Sequence, residues 1–89
     1  MTSHTTERFR RSLEALPENI RRQARDAYRL FRNNPLHPSL RFKRVHPSRR
    51  IYSARVTLDY RALGVRDGDT IAWFWIGTHA EYDRLIAQL

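Results

Sequence analysis

The feature of this sequence that most constrains its fold is a change in hydrophobic period about a third of the way along the chain. Before the change, apolar residues recur every three or four positions, the spacing of one face of an α-helix. A first helix is predicted around residues 9–16, and Pro17 suits the first turn of a new helix. Residues 18–33 predict that second helix, and the pair Asn34-Pro35 ends it.

After this loop the period falls to two, which is the spacing of one face of a β-strand. Strands are predicted at residues 40–45, 51–58, 60–65 and 70–77. Asp67-Gly68 is a strong hairpin turn between the last two strands. The tail from His79 to Leu89 is expected to form a short closing helix. Residues 1–6 are polar and weakly patterned, so both a frayed end and a short edge strand remain open.

Helices that precede a run of strands favour an α+β fold. We therefore predict an N-terminal helical hairpin packed on one face of a four-stranded, mainly antiparallel sheet, with a short C-terminal helix. The 89 residues suffice for a single domain. A domain of this size buries only about 60% of its unfolded surface, so a bound partner would add much to its stability.

Charge is the strongest signal about partners. Seventeen basic residues oppose nine acidic ones, which gives a net charge of +8, and Lys43 is the only lysine among them. Such an excess favours polyanions, and the planar fork of arginine grips phosphate bidentately and stacks on bases. A basic surface that is merely solvated remains the alternative.

Cysteine is absent, which excludes disulfides, zinc–thiolate sites and cysteine nucleophiles. No apolar run approaches the roughly 18 residues that a membrane span needs. Residues 1–6 lack the apolar stretch of a signal peptide. We therefore expect a soluble, cytoplasmic protein that needs no membrane, and we expect no metal or cofactor, because His4, His37 and His46 show no ligand spacing.

Five polar residues are candidates for a site on the open face and at the strand ends of the predicted sheet: Ser53, Arg55, Thr57, Arg61 and His79. Such a cluster suits RNA cleavage by the RNA's own 2′-hydroxyl. That reaction requires cationic donors to offset the growing charge on the phosphate. It also requires a proton donor for the leaving oxygen, for which histidine is well suited near neutral pH.

Each candidate also has a purely structural explanation. His79 could satisfy a backbone group at a strand end, and Arg55 and Arg61 could be ordinary surface arginines. Tyr82 could pack on the core rather than stack on a base. Trp73 and Trp75 occur two apart on an apolar strand and are expected to lie in the core rather than to bind a ligand.

Three segments carry a resemblance to a known family: FRRSLEALPENIRRQARDAYRLFRNNPLHPSLRFKRV, IYSARVTLDYRAL and TIAWFWIGTHAEYDRLI. Together they span residues 7–87 and resemble the RelE/ParE toxin superfamily of type II toxin–antitoxin systems, in particular its RelE-like mRNA interferases. The Tyr60-Arg61 pair and the segment GTHAEYDRL are the more specific parts. The resemblance implies one RelE/ParE-like domain over residues 1–89.

The resemblance also implies an activity and its residues. RelE-like members cleave mRNA without a metal, often on the ribosome, and an acidic antitoxin holds them inactive. Arg61 matches the arginine that stabilises the transition-state phosphate, and His79 matches the position of the general acid. Arg55 matches the second of two basic positions on the preceding strand, and Ser53 occupies the first, where the ribosome-dependent enzymes carry lysine. Tyr82 lies near the C-terminal aromatic that orients the substrate.

Three further basic residues, Arg41, Lys43 and Arg44, are expected to follow the RNA backbone. Three functions remain open at this point. The first is a metal-independent mRNA endoribonuclease toxin. The second is a non-enzymatic ParE-like toxin that binds DNA gyrase or another protein, and the third is a diverged domain that only binds a partner. The expected partners are a cognate acidic antitoxin, mRNA and, for ribosome-dependent cleavage, the ribosome.

Overall fold

The computed structural model describes all 89 residues and confirms the α+β class. The two predicted helices of the hairpin are α1 (Glu7–Glu14) and α2 (Glu18–Asn33), and the closing helix is α3 (His79–Gln88). The Thr6 hydroxyl caps α1 by accepting a hydrogen bond from the Phe9 N–H at 3.1 Å. Each helix begins close to the start that the sequence predicts.

The sheet has five strands, one more than the four predicted. They are β1 (Thr2–Thr5), β2 (Lys43–Arg44), β3 (Ile51–Arg55), β4 (Tyr60–Asp67) and β5 (Thr70–Thr78). Their order across the sheet is β1-β5-β4-β3-β2, with β1 parallel to β5 and all other pairs antiparallel. The additional strand is the edge strand that the sequence left open at residues 1–6.

Strand β1 forms although its sequence, TSHT, has little strand propensity, because its neighbours hold it. Thr2 and Thr6 donate backbone hydrogen bonds to β5 and its turn, and the Trp73 indole N–H donates to the Ser3 hydroxyl at 3.1 Å. On the outer edge, the carbonyl oxygens of Ser3 and Thr5 accept hydrogen bonds from the side chains of Tyr28 and Arg10. Side chains thus occupy the side of β1 on which a further strand would pair.

Two predicted strands are shorter than their patterns indicate. The segment expected at residues 40–45 is extended only at Lys43–Arg44, because Pro38–Leu40 forms a short 3-10 helix and Arg41 adopts a left-handed conformation with φ of 45°. The strand expected to reach residue 58 ends at Arg55, and the chain bends over residues 56–59 before β4.

The core lies between the α1–α2 hairpin and one face of the sheet. Its buried residues are Phe9, Ala24, Phe31, Leu40, Ala54, Ala62, Ile71, Trp73 and Ile76. Phe31 contacts Trp73 and Phe42 edge-on, with ring centroids 5.2 and 5.0 Å apart. Helix α2 and the sheet do not close completely, and they leave an apolar cleft of about 380 Å³. The other face of the sheet is left to α3, which contacts β4 and β5.

Candidate functional site

Strand register places four of the predicted site residues on one face of the sheet. Lys43 pairs with Ser53 across β2 and β3, and Arg55 pairs with Arg61 across β3 and β4. Paired residues project to the same side of a sheet, as do residues two apart along a strand. Ala54, which alternates with them, belongs to the core beneath α1 and α2. The four residues therefore lie on the opposite face, which we call the site face.

Arg61 is held by the bend that precedes β4. Its Nη1 donates hydrogen bonds to the carbonyl oxygens of Thr57, Leu58 and Tyr60, at 2.7, 3.3 and 3.0 Å. All of its hydrogen bonds within the protein come from this one nitrogen. Nε and Nη2 therefore remain as donors for an anion that lies on the site face.

The electrostatic surroundings of Arg61 are unfavourable to its own charge. Partial burial lowers the pKa of its guanidinium, and the nearby positive charges of Arg55 and Arg41 lower it further, while Tyr82 and Asp83 act in the opposite direction. Arginine remains protonated at physiological pH, so the shift reflects a charge that is poorly solvated and crowded by like charge. A bound phosphate would relieve both conditions.

The capping of α3 fixes the residue that follows β5. The Thr78 hydroxyl accepts a hydrogen bond from the Glu81 N–H, and the Glu81 carboxylate accepts one from the Thr78 N–H at 2.8 Å, which together form a capping box. The Thr78 hydroxyl also donates to this carboxylate at 2.9 Å. The two hydrogen bonds that the carboxylate accepts, the backbone one first, lower the pKa of Glu81. The His79 N–H donates to the Asp59 carbonyl oxygen at 2.6 Å and ties the helix to the bend before Arg61.

His79 is oriented by its own helix. Its Nδ1 lies 3.0 Å from Oδ2 of Asp83, one turn later, and its ring meets the edge of the Tyr82 ring at a centroid distance of 5.7 Å. Its side chain is 46% exposed, and Nε2 has no hydrogen-bond partner in the protein. Tyr82 and Asp83 also affect the charge of Arg61, so the first turn of α3 and the paired arginines form one site.

Two of the predicted RNA-binding residues lie beside this site. Lys43 is exposed on the site face, directly opposite Ser53, and Arg41 is exposed and close enough to Arg61 to lower its pKa. The left-handed conformation of Arg41 is uncommon for a residue with a side chain, and it directs the chain from the 3-10 helix into β2.

Two further predicted substrate-binding residues, Ser53 and Arg44, do not join this site. Ser53 lies on the site face but is only 3% exposed, so RNA cannot contact its hydroxyl without a rearrangement. Arg44 pairs with Tyr52 and projects from the other face of the sheet, because it is adjacent to Lys43 on the same strand. It belongs to a different group of side chains.

The sequence interpretation missed Asp83 and misplaced Trp75. Asp83 is not among the sequence candidates, although its spacing of four residues from His79 on a helix is the signal that indicates the pair. Trp73 pairs with Gly64 and Trp75 with Leu63, so an irregularity at Phe74 puts the two indoles on opposite faces. Trp75 is therefore half-buried on the site face rather than in the main core.

No three His, Asp or Glu side chains lie close enough together to hold a metal ion. Three helices are present, and none combines the length and apolar character needed to cross a bilayer. The site consists of arginine, lysine, histidine and tyrosine with one carboxylate. Such a set can bind a phosphate and transfer a proton.

Comparisons with known proteins place this geometry in a family. A family model described as a ParE-like toxin domain matches residues 18–84. Among curated proteins, none matches this sequence.

The chain is also similar to several solved toxin structures. One is YafQ from E. coli strain BL21(DE3), with 15% identity, coverage of 90% of this chain and 94% of that one, and a TM-score of 0.71. A second is in the RelB–RelE antitoxin–toxin complex from Methanococcus jannaschii, with 22% identity, coverage of 91% and 96%, and a TM-score of 0.72. A third is in the RelBE2 toxin–antitoxin complex from Mycobacterium tuberculosis, with 24% identity, coverage of 88% and 96%, and a TM-score of 0.69. At these identities the likeness shows a common fold.

Proposed function

Because this chain belongs to the ParE-like toxin domain family, we propose that it is the toxin of a toxin–antitoxin pair and that it cleaves mRNA as a metal-independent endoribonuclease. One observation carries the proposal. The crowded Arg61–Arg55 pair lies beside a histidine whose Nδ1 is engaged by Asp83 and whose Nε2 is free. This combination suits charge stabilisation and proton donation at one phosphate.

In the proposed reaction the 2′-oxygen of the RNA attacks the adjacent phosphorus, and the bond from phosphorus to the 5′-oxygen breaks. The products are a 2′,3′-cyclic phosphate and a free 5′-hydroxyl. A base accepts the proton of the 2′-hydroxyl, and an acid donates a proton to the 5′-oxygen. Because the attacking group is the 2′-hydroxyl, the substrate is RNA and not DNA.

Arg61 would bind the non-bridging oxygens of the phosphate, with Arg55 beside it. Negative charge grows on these oxygens as the 2′-oxygen attacks, and preorganised donors stabilise that charge. Nε and Nη2 of Arg61 are the free donors, since carbonyl oxygens hold its Nη1. The same carbonyl contacts keep the guanidinium from moving away when no RNA is bound.

His79 would donate the proton to the leaving oxygen from Nε2. Asp83 at Nδ1 fixes the orientation of the ring, so we assign Asp83 a positioning role. The Tyr82 ring at the edge of His79 limits the rotation of the imidazole and offers a surface on which a base can stack.

Lys43 would lie on the side of the phosphate that is opposite His79. The position opposite it on β3 is Ser53, which is buried and offers no basic group. From the β2 edge of the site face towards α3, the order is the Lys43–Ser53 pair, then the Arg55–Arg61 pair, and then His79. In an in-line displacement the attacking and leaving oxygens lie on opposite sides of the phosphorus, which matches this order.

The antitoxin of the pair would occupy the cleft between α2 and the sheet. Twelve of its 17 lining residues are hydrophobic, and the helices contribute Arg10, Arg25 and Arg29 to its border. A partner segment with apolar anchors and acidic flanks fits this combination of an apolar floor and a basic border. Filling the cleft would also stabilise the small domain by mass action.

The nuclease proposal is tested by inducing wild type and His79→Ala in parallel and measuring translation and mRNA integrity. Purified proteins are then incubated with an RNA oligonucleotide, its DNA counterpart and a chelator of divalent metals. We expect wild type to cleave the RNA and not the DNA, to do so also in the presence of the chelator, and to leave a 2′,3′-cyclic phosphate end. His79→Ala should keep its melting temperature and lose cleavage.

Arg8→Ala is the matched control, because Arg8 is exposed on α1 and makes no ion pair. It should cleave RNA as wild type does. Intact mRNA together with a DNA-damage response after expression would instead support a gyrase-binding toxin. Harmless expression without any RNA cleavage would leave only the partner-binding alternative.

The antitoxin proposal has a separate test. A small acidic open reading frame adjacent to the gene is expected, and its product should bind wild type tightly. Arg25→Glu reverses a charge at the cleft border and should weaken that binding by more than tenfold, by about 1.4 kcal/mol or more. Arg22→Glu changes the same charge on α2 outside the cleft and should have little effect. Equal losses in both variants would contradict the assigned position.

A further inference from the structure

Three arginines converge at the end of the sheet that is remote from His79. Arg44, Arg50 and Arg66 line a cleft of about 200 Å³ together with Tyr52 and Gly68. We call these three arginines the distal cluster. Arg66 follows Arg61 by five residues on β4, which corresponds to about 17 Å along a strand. The distal cluster is therefore separate from the site around Arg61.

Two of the three guanidinium groups are held in place before any ligand binds. Nε of Arg44 donates to the carbonyl oxygens of His46 and Arg49 at 3.0 and 3.2 Å. Nε of Arg66 donates to the carbonyl oxygen of Gly68 at 2.9 Å, and its guanidinium lies 5.2 Å from the centre of the Tyr52 ring. In both residues the terminal nitrogens remain free for a ligand.

The turn that holds Arg44 is itself fixed by a histidine. Nδ1 of His46 accepts hydrogen bonds from the N–H groups of Ser48 and Arg49, at 3.2 and 2.9 Å. The ring therefore carries its proton on Nε2, which donates to the carbonyl oxygen of Leu89 at 2.8 Å. The two carbonyls that hold Arg44 thus belong to a turn with a defined shape. This is the role of a histidine to which the sequence assigned none.

The chemistry of the cleft selects phosphate. Its lining has no aliphatic side chain, and the Tyr52 ring is already covered by Arg66 and stacked on Phe42. The only acidic contact is Asp67, whose 92% exposed carboxylate lies 3.4 Å from Nη1 of Arg50. An amphipathic acidic peptide would find no apolar contact here. The free arginine forks suit the oxygens of a nucleic-acid backbone.

Two basic residues connect the two faces of the sheet at its edge. Lys43 and Arg44 are consecutive on the edge strand β2, so their side chains project to opposite faces of the sheet. Lys43 lies on the site face, and Arg44 belongs to the distal cluster. An RNA strand that passes round the β2 edge would thus meet a basic side chain on each face.

We propose that the distal cluster binds a backbone phosphate of the RNA several nucleotides from the scissile bond. The identity of the ligand rests on the proposed function, whereas the anion site rests on the geometry of the cluster. At about 3.4 Å per nucleotide, the rise of a stacked strand, a separation of about 17 Å corresponds to about five nucleotides. Long substrates should therefore depend on the cluster, and short ones should not.

The experiment measures the affinity of an uncleavable RNA, with a 2′-deoxy sugar at the scissile position, at several salt concentrations. Wild type is compared with the double variant Arg44→Gln/Arg66→Gln. Arg8→Gln/Arg32→Gln is the control with the same net charge, since both residues are exposed on helices and have no ion pair. RNA lengths of about 12 and about two nucleotides are used with each protein.

For the long RNA we expect the cluster variant to bind roughly tenfold more weakly at about 0.1 M salt, with a salt slope lower by about 0.7 for the lost phosphate. The control pair should lose less than about threefold. Neither double variant should change the affinity for the short RNA. Arg44→Lys/Arg66→Lys retains the charge and should show an intermediate affinity with an unchanged slope. Melting temperatures establish that each variant is folded.

Three outcomes would overturn the proposal. Equal losses in the cluster and control pairs would mean that only net charge matters. A cluster variant that binds RNA normally but no longer binds the antitoxin would assign the cluster to the protein partner. Equal losses for short and long RNA would mean that the cluster has no separate phosphate. Binding with the expected dependence in a protein that cleaves nothing would support the distal cluster while rejecting the nuclease.

Discussion

Arg61 and Arg66 lie on the same strand and differ in how the protein uses them. Arg61 is anchored through a terminal nitrogen, is half-buried, and is crowded by Arg55. Arg66 is anchored through Nε, lies over the Tyr52 ring and presents both terminal nitrogens. The first environment penalises the positive charge until an anion arrives, and the second supports it at all times.

This difference has a chemical consequence. A crowded charge gains most when negative charge develops beside it, which suits the transition state of phosphate cleavage. A supported charge offers the same attraction before and after reaction, which suits ground-state binding. The two ends of β4 should therefore affect different kinetic constants.

The largest expected effect separates the two arginines. Arg61→Gln should lower the single-turnover cleavage rate at saturating RNA by about 10²–10³, because a preorganised donor to the phosphate is lost. Arg66→Gln should change that rate less than about twofold and raise KM instead. Both are measured by quenched time courses with labelled RNA. Similar effects on the rate in both variants would remove the distinction between the two ends of β4.

A second effect concerns the leaving-group side, which only the Arg61 end possesses. His79→Gln should lower the cleavage rate by about 10² or more, because no proton reaches the 5′-oxygen. Asp83→Asn should cause a smaller loss and shift the tautomer distribution of His79, which imidazole ¹⁵N chemical shifts report. Asp83→Asn with unchanged ¹⁵N shifts would contradict the positioning role.

A third effect concerns the packing of the site face. A Cβ at Gly77 would lie only 2.6 Å from Cζ2 of Trp75, so Gly77→Ala must displace the indole. We expect a loss of about 1–3 kcal/mol in unfolding free energy and a changed tryptophan emission. Denaturant titration followed by fluorescence measures both. Gly68→Ala meets no atom within 4 Å but has φ of 59°, so it serves as a control for backbone strain alone.

A fourth effect is a pH dependence at the start of α3. Hydrogen bonds from Thr78 lower the pKa of Glu81 in the folded protein. The contribution of Glu81 to the free energy of unfolding is therefore fully present at pH values above the ordinary pKa of a carboxylate. It is lost as the pH falls through the lowered folded value. The melting-temperature difference between wild type and Glu81→Gln should thus be full at neutral pH and shrink below about pH 4. A difference that grows on acidification would rule out this cap as its source.

The smallest effect is expected at Arg41. Its left-handed conformation strains an L-residue, so Arg41→Gly should raise the unfolding free energy by at most about 1 kcal/mol. The same change removes a charge near Arg61 and should weaken RNA binding slightly. Opposite signs of the two effects, from calorimetry and RNA titration, would show that the residue is kept for its charge. A decrease in both the unfolding free energy and the RNA affinity would mean that the Arg41 side chain is needed for folding.

The helices, the fold class and most strands could be predicted because their signals are local. Hydrophobic period predicts α1 and α2, and the predicted Asp67-Gly68 turn marks the β4–β5 hairpin, although the turn residues are Gly68 and Asp69 and Asp67 ends β4. Strand β1 could only be left open, because its polar residues are extended through tertiary contacts such as that between Trp73 and Ser3. The hydrophobic period alone does not predict such contacts.

The site was predictable in its residue types and less so in its arrangement. Arg55, Arg61, His79 and Tyr82 do come together, although their roles stay predictions until the variants are measured. The irregularity at Phe74 could not be foreseen, because it depends on pairing with β4. Without it, strict alternation places Trp73 and Trp75 on the same face.

The strand period alone separates Lys43 from Arg44. Adjacent residues on a strand project to opposite faces, so the two side chains cannot contact the same stretch of RNA on one face of the sheet. The basic stretch at residues 41–44 therefore contributes to two sites and not to one. The distal cluster also requires Arg66, which is distant in sequence and is brought near by the β3–β4 pairing.

The side chains of Tyr28 and Arg10 on the outer carbonyls of β1 have a consequence for self-association. A sheet polymerises edge to edge only if both edges accept a neighbour. Here one edge is occupied, so two copies could join once, through their β2 strands, and growth would end there with a closed pair. That pairing would bring Lys43 and Arg44 of both copies together, so like charge opposes even this step. The sheet is thereby protected against fibre formation on one side by hydrogen bonds and on the other by charge.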